Sequence, residues 1–117
     1  MYPDVSVVCG KPEVADDQND ILLNPTVIVE VLSKSTEAHD RGPKFWRYRR
    51  MDSLREYVLV SQEAPHVEVF RRQDDGHWLM TEHFGLDSVC RLESIDCAIP
   101  LAGIYENVEF TPDQLAE

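Results

Sequence analysis

The sequence predicts an α/β fold, a mixed β-sheet with helices packed against it. Three observations carry that prediction. Short β-branched runs, the strongest being Thr26-Val27-Ile28-Val29-Glu30-Val31-Leu32, recur along the chain. Both faces of that run are apolar apart from Glu30, as in strands covered on two sides. A helical stretch opened by Pro43 separates it from the next run. With 117 residues, 43% hydrophobic and 28% charged, the chain suits one domain with one core. A single domain over 1–110 is expected, followed by a flexible tail over 111–117.

In order along the chain, residues 4–9 read as a strand that is apolar on both faces and therefore interior. Lys11 to Asn24 is polar and rich in Asp, Asn and Gln, a loop that ends in the turn signal Asn24-Pro25. The strand Thr26 to Leu32 points Val27, Val29 and Val31 one way and Thr26, Ile28, Glu30 and Leu32 the other. Ser35 or Thr36 supplies a helix cap. Gly42-Pro43 then interrupts, and because proline suits a first helical turn, the main helix is expected over 43–52, with Phe45, Tyr48 and Asp52 along one side.

Three further strands are predicted at 56–61, 66–72 and 77–84, the last two joined by the hairpin signal Asp74-Asp75-Gly76. A short strand at 88–92 and a helix over 99–106 complete the series.

The net charge is −11, from 11 basic and 22 acidic residues, which argues against strong non-specific affinity for DNA. The distribution softens that argument. Arg41, Lys44, Arg47, Arg49 and Arg50 place five of the 11 basic residues within ten positions, enough for a local phosphate-contacting face or, more plainly, a solvated helix face. No run approaches the ~18 apolar residues of a membrane span. Met1-Tyr2-Pro3-Asp4 shows neither a basic nor an apolar leader region, so a cytoplasmic location is expected. Cys9, Cys90 and Cys97 are odd in number and form no CxxC pair, and they read as reduced core thiols.

Asp4 and Glu30 carry the chemical signal. Each sits on an apolar run, where an unpaired carboxylate is costly to desolvate. If their strands pair, both can converge on one Mg²⁺, with Mn²⁺ as a substitute, leaving sites for water and a phosphate oxygen. A nearby cation would complete such a site: Lys44 is the first candidate and Lys34 the competitor. The plain structural alternative makes Asp4 a strand-end residue and pairs Glu30 with Arg41 or Lys44. Asp16 to Asp20 lacks the glycine and terminal glutamate of a calcium loop and reads as solvated. The four histidines show no ligand spacing, and Trp46 and Trp78 suit packing before base stacking.

The segments Tyr2-Pro3-Asp4-Val5-Ser6-Val7-Val8, Pro25 to Ser33, Ser35 to Phe45, Tyr48-Arg49-Arg50, Leu54 to Val60 and Ile99 to Tyr105 together resemble the Uma-two family, endonucleases of the PD-(D/E)XK class. The resemblance implies a restriction-endonuclease-like mixed sheet flanked by helices, and it implies that Asp4 and Glu30 are metal-binding carboxylates. Leu32 stands where the motif usually has lysine, so the resemblance gives that role to Lys44, with Tyr48 in support and the Val31 carbonyl as an added ligand. It also implies that the family's usual N-terminal helix and strand region is absent. A sheet left with an open edge is expected to form homo-oligomers. The leading expectation is Mg²⁺-dependent hydrolysis of DNA phosphodiester bonds. The runner-up is an inactive, truncated member that serves as an oligomerisation or interaction domain, and a cleavage-dead nucleic-acid binder comes third.

Overall fold

The computed structural model describes residues 4–10 and 24–116. The expected loop over 11–24 therefore lies outside the described residues, Asn24 excepted. The elements are β1 (Val5–Val7), β2 (Val27–Val31), α1 (Glu37–His39), a π-helical turn (Asp40–Lys44), α2 (Phe45–Tyr48), β3 (Glu56–Val60), β4 (His66–Arg72), β5 (Trp78–Phe84), β6 (Val89–Leu92), β7 (Cys97–Pro100), α3 (Leu101–Ile104) and α4 (Pro112–Leu115).

Strands β1 to β5 form one mixed sheet in sequence order. The β2–β3 pair is parallel and the others are antiparallel. A parallel pair needs a crossover, and the helical segment 37–48 supplies it. Phe45 and Tyr48 turn inward from that segment onto Ile28, Leu32, Leu54, Tyr57 and Leu59. Phe45 stacks on Tyr57 with ring centroids 4.7 Å apart. The opposite face of the sheet buries Val27, Val58, Val60, Val67 and Val69 under the β6–β7 hairpin and α3, which contribute Cys90, Leu92, Leu101 and Tyr105. Central β3 is buried along its whole length. The two-faced apolar pattern of β2 thus has a physical partner on each side.

Four expectations need correction. First, β1 is an edge strand among the described residues, and Val5 is 51% exposed. Its valines alone do not distinguish an edge from an interior strand. Second, the helical segment starts at 37 rather than 43 and ends at Tyr48, leaving Asp52 exposed beyond it. Pro43 sits inside the π turn. There the widened turn accommodates a residue that has no N–H to give and whose ring needs clearance from the carbonyl four residues back. Third, Cys97–Pro100 is a strand before it is a helix, paired with β6. Fourth, Cys9 is exposed, whereas Cys90 is a buried free thiol pushed up to about 11, first by burial and then by the Glu56 charge.

The segment 111–117 contains α4, capped by a reciprocal pair in which the Thr111 side chain accepts from the Gln114 N–H and the Gln114 side chain accepts from the Thr111 N–H.

Arg72 ties the end of α2 to the sheet. Its guanidinium donates to the carbonyls of Leu54 (2.8 Å), Arg49 (2.9 Å) and Met51 (2.8 Å) and lies over the Trp78 ring. Arg72→Met is expected to lower unfolding stability by about 2 kcal/mol, because three carbonyls lose a charged donor. Urea denaturation checks this, and a loss below ~0.5 kcal/mol would show that water replaces the guanidinium.

Candidate functional site

Register brings the two predicted carboxylates together. Strands β1 and β2 pair antiparallel with Val5 opposite Val29, which sets Asp4 at the strand end beside Glu30. The Asp4 carboxylate accepts a hydrogen bond from the Val31 N–H through Oδ2 at 2.7 Å. Asp4 itself is exposed. The desolvation argument for an acid in an apolar run therefore holds for Glu30 alone, which is 1% exposed.

Glu30 projects from the face that carries Ile28 and Leu32, toward the helical segment. Lys44 descends from that segment, and its Nζ lies 2.9 Å from Glu30 Oε2. Asp40, one turn earlier and 3% exposed, places Oδ1 3.5 Å from the same Nζ. Asp40 is anchored from below, where the Tyr57 hydroxyl donates to its backbone carbonyl at 2.8 Å. Two polar atoms in this cluster, Glu30 Oε1 and the Tyr48 hydroxyl, are buried without a hydrogen-bond partner among the described residues. Such atoms are rare in folded proteins and mark a place where a water, ion or substrate group belongs.

The electrostatics follow the burial. Desolvation pushes the Glu30 carboxyl up to about 7; Lys44 opposes this and the charges of Asp4 and Asp40 reinforce it. Burial alone would lower the Lys44 ammonium, yet the hydrogen bond and charge of Glu30, with Asp40, raise it above the ordinary lysine value. Lys44 is therefore a firmly charged donor at neutral pH. Burial, followed by the Glu30, Asp40 and Asp4 charges, raises the Tyr48 phenol, which stays protonated.

A pattern across the sheet explains why cations turn inward here. By register, Glu30, Leu59, Glu68 and Glu82 occupy one row on the helix-facing side. Lys44 meets Glu30, and Arg41 meets Glu68 at 2.5 Å while also pairing with Glu37. The expected five-residue basic face is therefore split. Arg41 and Lys44 serve internal carboxylates, and Arg47, Arg49 and Arg50 remain on the outside. Of the two partners the sequence offered for Glu30, the structure selects Lys44. Lys34 lies away from this cluster, exposed and 3.6 Å from Glu63. His66 and His77 pair with Glu82 and Asp75, and the Asp16 to Asp20 segment lies outside the described residues.

Sequence reasoning overlooked Asp40. Its signal was the Asp40–Lys44 spacing, which reads as an ordinary surface i,i+4 pair unless the helix is known to dip into the sheet. The expected cap at Thr36 also differs: the Thr36 hydroxyl accepts from the Ser33 N–H rather than from its own helix.

Among the described residues, no three His, Cys, Asp or Glu side chains gather as a metal cluster. Two carboxylates with a backbone carbonyl nevertheless match the sparse protein ligation of Mg²⁺, which keeps several waters. The orphaned Glu30 Oε1 is the observation that fits such an ion.

Comparison with known proteins gives a consistent picture. The Uma2 family model, described as "Putative restriction endonuclease", matches residues 1–102. Two relatives come from Synechocystis. The uncharacterized protein slr1290 is 37% identical over 108 residues, covering 92% of this chain and 55% of its own length. The uncharacterized protein sll1609 is 39% identical over 85 residues, covering 73% and 48%. The chain thus spans about half the length of the curated relatives it matches. A crystal structure titled as a putative nuclease belonging to DUF820, from Anabaena variabilis, superposes with a TM-score of 0.66 at 14% identity, over 89% of this chain and 59% of that one. The fold is that of this structural neighbour, a mixed five-stranded sheet flanked by few helices. Among the described residues, no helix is long and apolar enough to cross a membrane.

Proposed function

The chain belongs to the Uma2 family of putative restriction endonucleases, and from that premise we propose that Asp4, Glu30 and the Val31 carbonyl form a divalent-metal site which, with Lys44 beside it, hydrolyses DNA phosphodiester bonds. One observation carries the reading: a buried glutamate with one oxygen on a lysine ammonium and the other oxygen unpartnered. Asp4, Glu30 and the Val31 carbonyl would hold Mg²⁺ or Mn²⁺. When bound, the cation supplies Lewis-acid stabilisation of charge on the phosphate oxygens. Asp4 is fixed for this by the Val31 N–H. Lys44, kept protonated by Glu30 and Asp40, donates a hydrogen bond to the attacking water or to a phosphate oxygen and offsets the charge that develops there. Tyr48 walls the site and offers its hydroxyl as a donor.

Calorimetric titration with Mg²⁺ and Mn²⁺ tests the reading. Wild type is expected to bind one ion, and Asp4→Ala/Glu30→Ala to bind none while keeping its circular dichroism spectrum. Absence of binding by folded wild type, or unchanged binding by the double variant, would overturn the metal site.

A second reading, self-association, draws on an apolar groove of about 540 Å³ between β2 and α3, lined by Val31, Ile104 and Val108 among others. A monomer in sedimentation at micromolar concentration would count against it.

A further inference from the structure

The outer face of the helical segment is used by neither core nor candidate site. Trp46 is 50% exposed, and Arg47, Arg49 and Arg50 are exposed beside it. Arg41 and Lys44 are engaged by Glu37, Glu68, Glu30 and Asp40. By contrast, Arg47, Arg49 and Arg50 have no carboxylate within ion-pair reach among the described residues, on a chain whose acidic residues outnumber the basic ones 22 to 11. Unpaired guanidinium groups persisting in so acidic a protein point to an anionic partner.

The aromatic geometry narrows that partner. The Arg50 guanidinium lies 4.5 Å from the Trp46 ring centroid, and Arg49 lies 5.6 Å from that of Phe45. A guanidinium on an indole makes a preformed stacking layer. Beside it is a shallow hollow of about 380 Å³, lined by Arg41, Gly42, Pro43, Phe45, Trp46 and Arg49. A planar apolar ring combined with free cations suits a nucleotide better than it suits an acidic peptide, which offers charge but no flat surface. The bases of a duplex are stacked on one another, so only an unpaired base can present its face to Trp46.

We propose that this outer helix face binds an unpaired nucleotide segment, the base against Trp46 and the phosphates on Arg47, Arg49 and Arg50. The proposal deepens the nuclease reading by naming the substrate class, single-stranded or locally unpaired nucleic acid, and it rests on that reading for the strand's role as substrate. With a net charge of −11, the chain repels polyanions at long range, so binding depends on a local cluster of cations, and Arg47, Arg49 and Arg50 gather three within four positions. Three phosphate contacts on a single strand give a log–log salt slope of about −2.

The test is fluorescence-anisotropy titration of a labelled single-stranded oligonucleotide and of a duplex of equal length, in chelator. Wild type is expected to bind the single strand at least about tenfold tighter than the duplex. Trp46→Ala is expected to weaken binding roughly tenfold or more, and Trp46→Phe to restore most of it. Arg47→Gln/Arg49→Gln/Arg50→Gln is expected to abolish the salt slope; all four side chains are exposed, and thermal melting verifies the fold. Duplex binding equal to or tighter than single-strand binding, an unchanged Trp46→Ala variant, or equal competition by polyglutamate would overturn the proposal. The two readings fail separately. Binding without cleavage in Mg²⁺ removes the nuclease reading and leaves the patch. Cleavage by Trp46→Ala at the wild-type rate, with undiminished strand affinity, removes the patch and leaves the nuclease.

Discussion

Under the proposed function, Glu30→Gln is expected to lower metal-dependent phosphodiester cleavage by at least about 10²–10³-fold, the scale seen when one preorganised electrostatic group is removed from a site. Glutamine keeps the volume of a fully enclosed side chain and an acceptor for Lys44, so the fold should persist. What it loses is the negative charge that a cation needs. The same substitution should change the pH dependence of stability. The folded carboxyl sits at about 7 against an ordinary 4.5 because it is buried. A pKa raised by folding means that the protonated form is favoured in the native state. The stabilisation is therefore fully present below about pH 4.5 and is lost as pH rises through about 7. The shift corresponds to about 3 kcal/mol across that window. In chelator, wild type should lose that stability between acid and neutral pH, and Glu30→Gln should lack this component. Added Mg²⁺ should stabilise wild type more at pH 8 than at pH 5, because it binds the ionised carboxylate. Denaturant titrations at four pH values, with and without metal, check all three statements. A wild-type cleavage rate in Glu30→Gln would remove Glu30 from the site.

The parts of this molecule that were legible in its sequence are those where one residue type conflicts with its surroundings. Glu30 in a Val and Ile run is such a conflict, and it led to the buried carboxylate. The alternation at 66–72 and the Asp-Asp-Gly turn likewise specify β4 and the hairpin to β5, where Gly76 takes a φ of +88° that favours glycine. What was not legible depends on depth and on neighbours. Asp40 and Arg41 have the composition of a solvated helix, yet Asp40 is buried beside Lys44 and the exposed Arg41 reaches over to the buried Glu68. Pro43 concealed the π turn, since proline reads as a helix start. Pro100 concealed β7 in the same way: proline at a strand end and proline before a helix look alike in one dimension. That β1 lies at the edge among the described residues is set by which strands pair, a property its own three residues do not encode.

Glu56→Ala is expected to destabilise the protein by about 3–5 kcal/mol, the scale for removing one partner of a buried ion pair. Glu56 has no solvent exposure and lies on the sheet face opposite the carboxylate site. Its Oε2 accepts from Arg71 Nε at 3.0 Å. Its Oε1 accepts from the Ser94 N–H at 2.9 Å and from the Ser94 hydroxyl. Arg71 in turn donates to the Arg91 carbonyl at 3.1 Å and approaches Glu93 at 3.6 Å. One carboxylate thus joins β3 and β4 to the turn between β6 and β7, the hairpin that roofs this half of the core. Alanine would leave the Ser94 N–H unsatisfied, Arg71 short of its inner partner, and a void at the start of β3. Glutamine retains an acceptor for Ser94 and should lose less. The damage should be read first at the roof. Cys90 is 1% exposed beneath it, so Glu56→Ala should make this thiol react with a thiol reagent well before global unfolding, whereas wild type should not. Glu56→Ala/Arg71→Met should lose less than the sum of the single variants, because the pair acts as one unit. Additive losses, or a Cys90 that stays protected until the whole chain unfolds, would show that packing rather than this carboxylate holds the hairpin to the sheet.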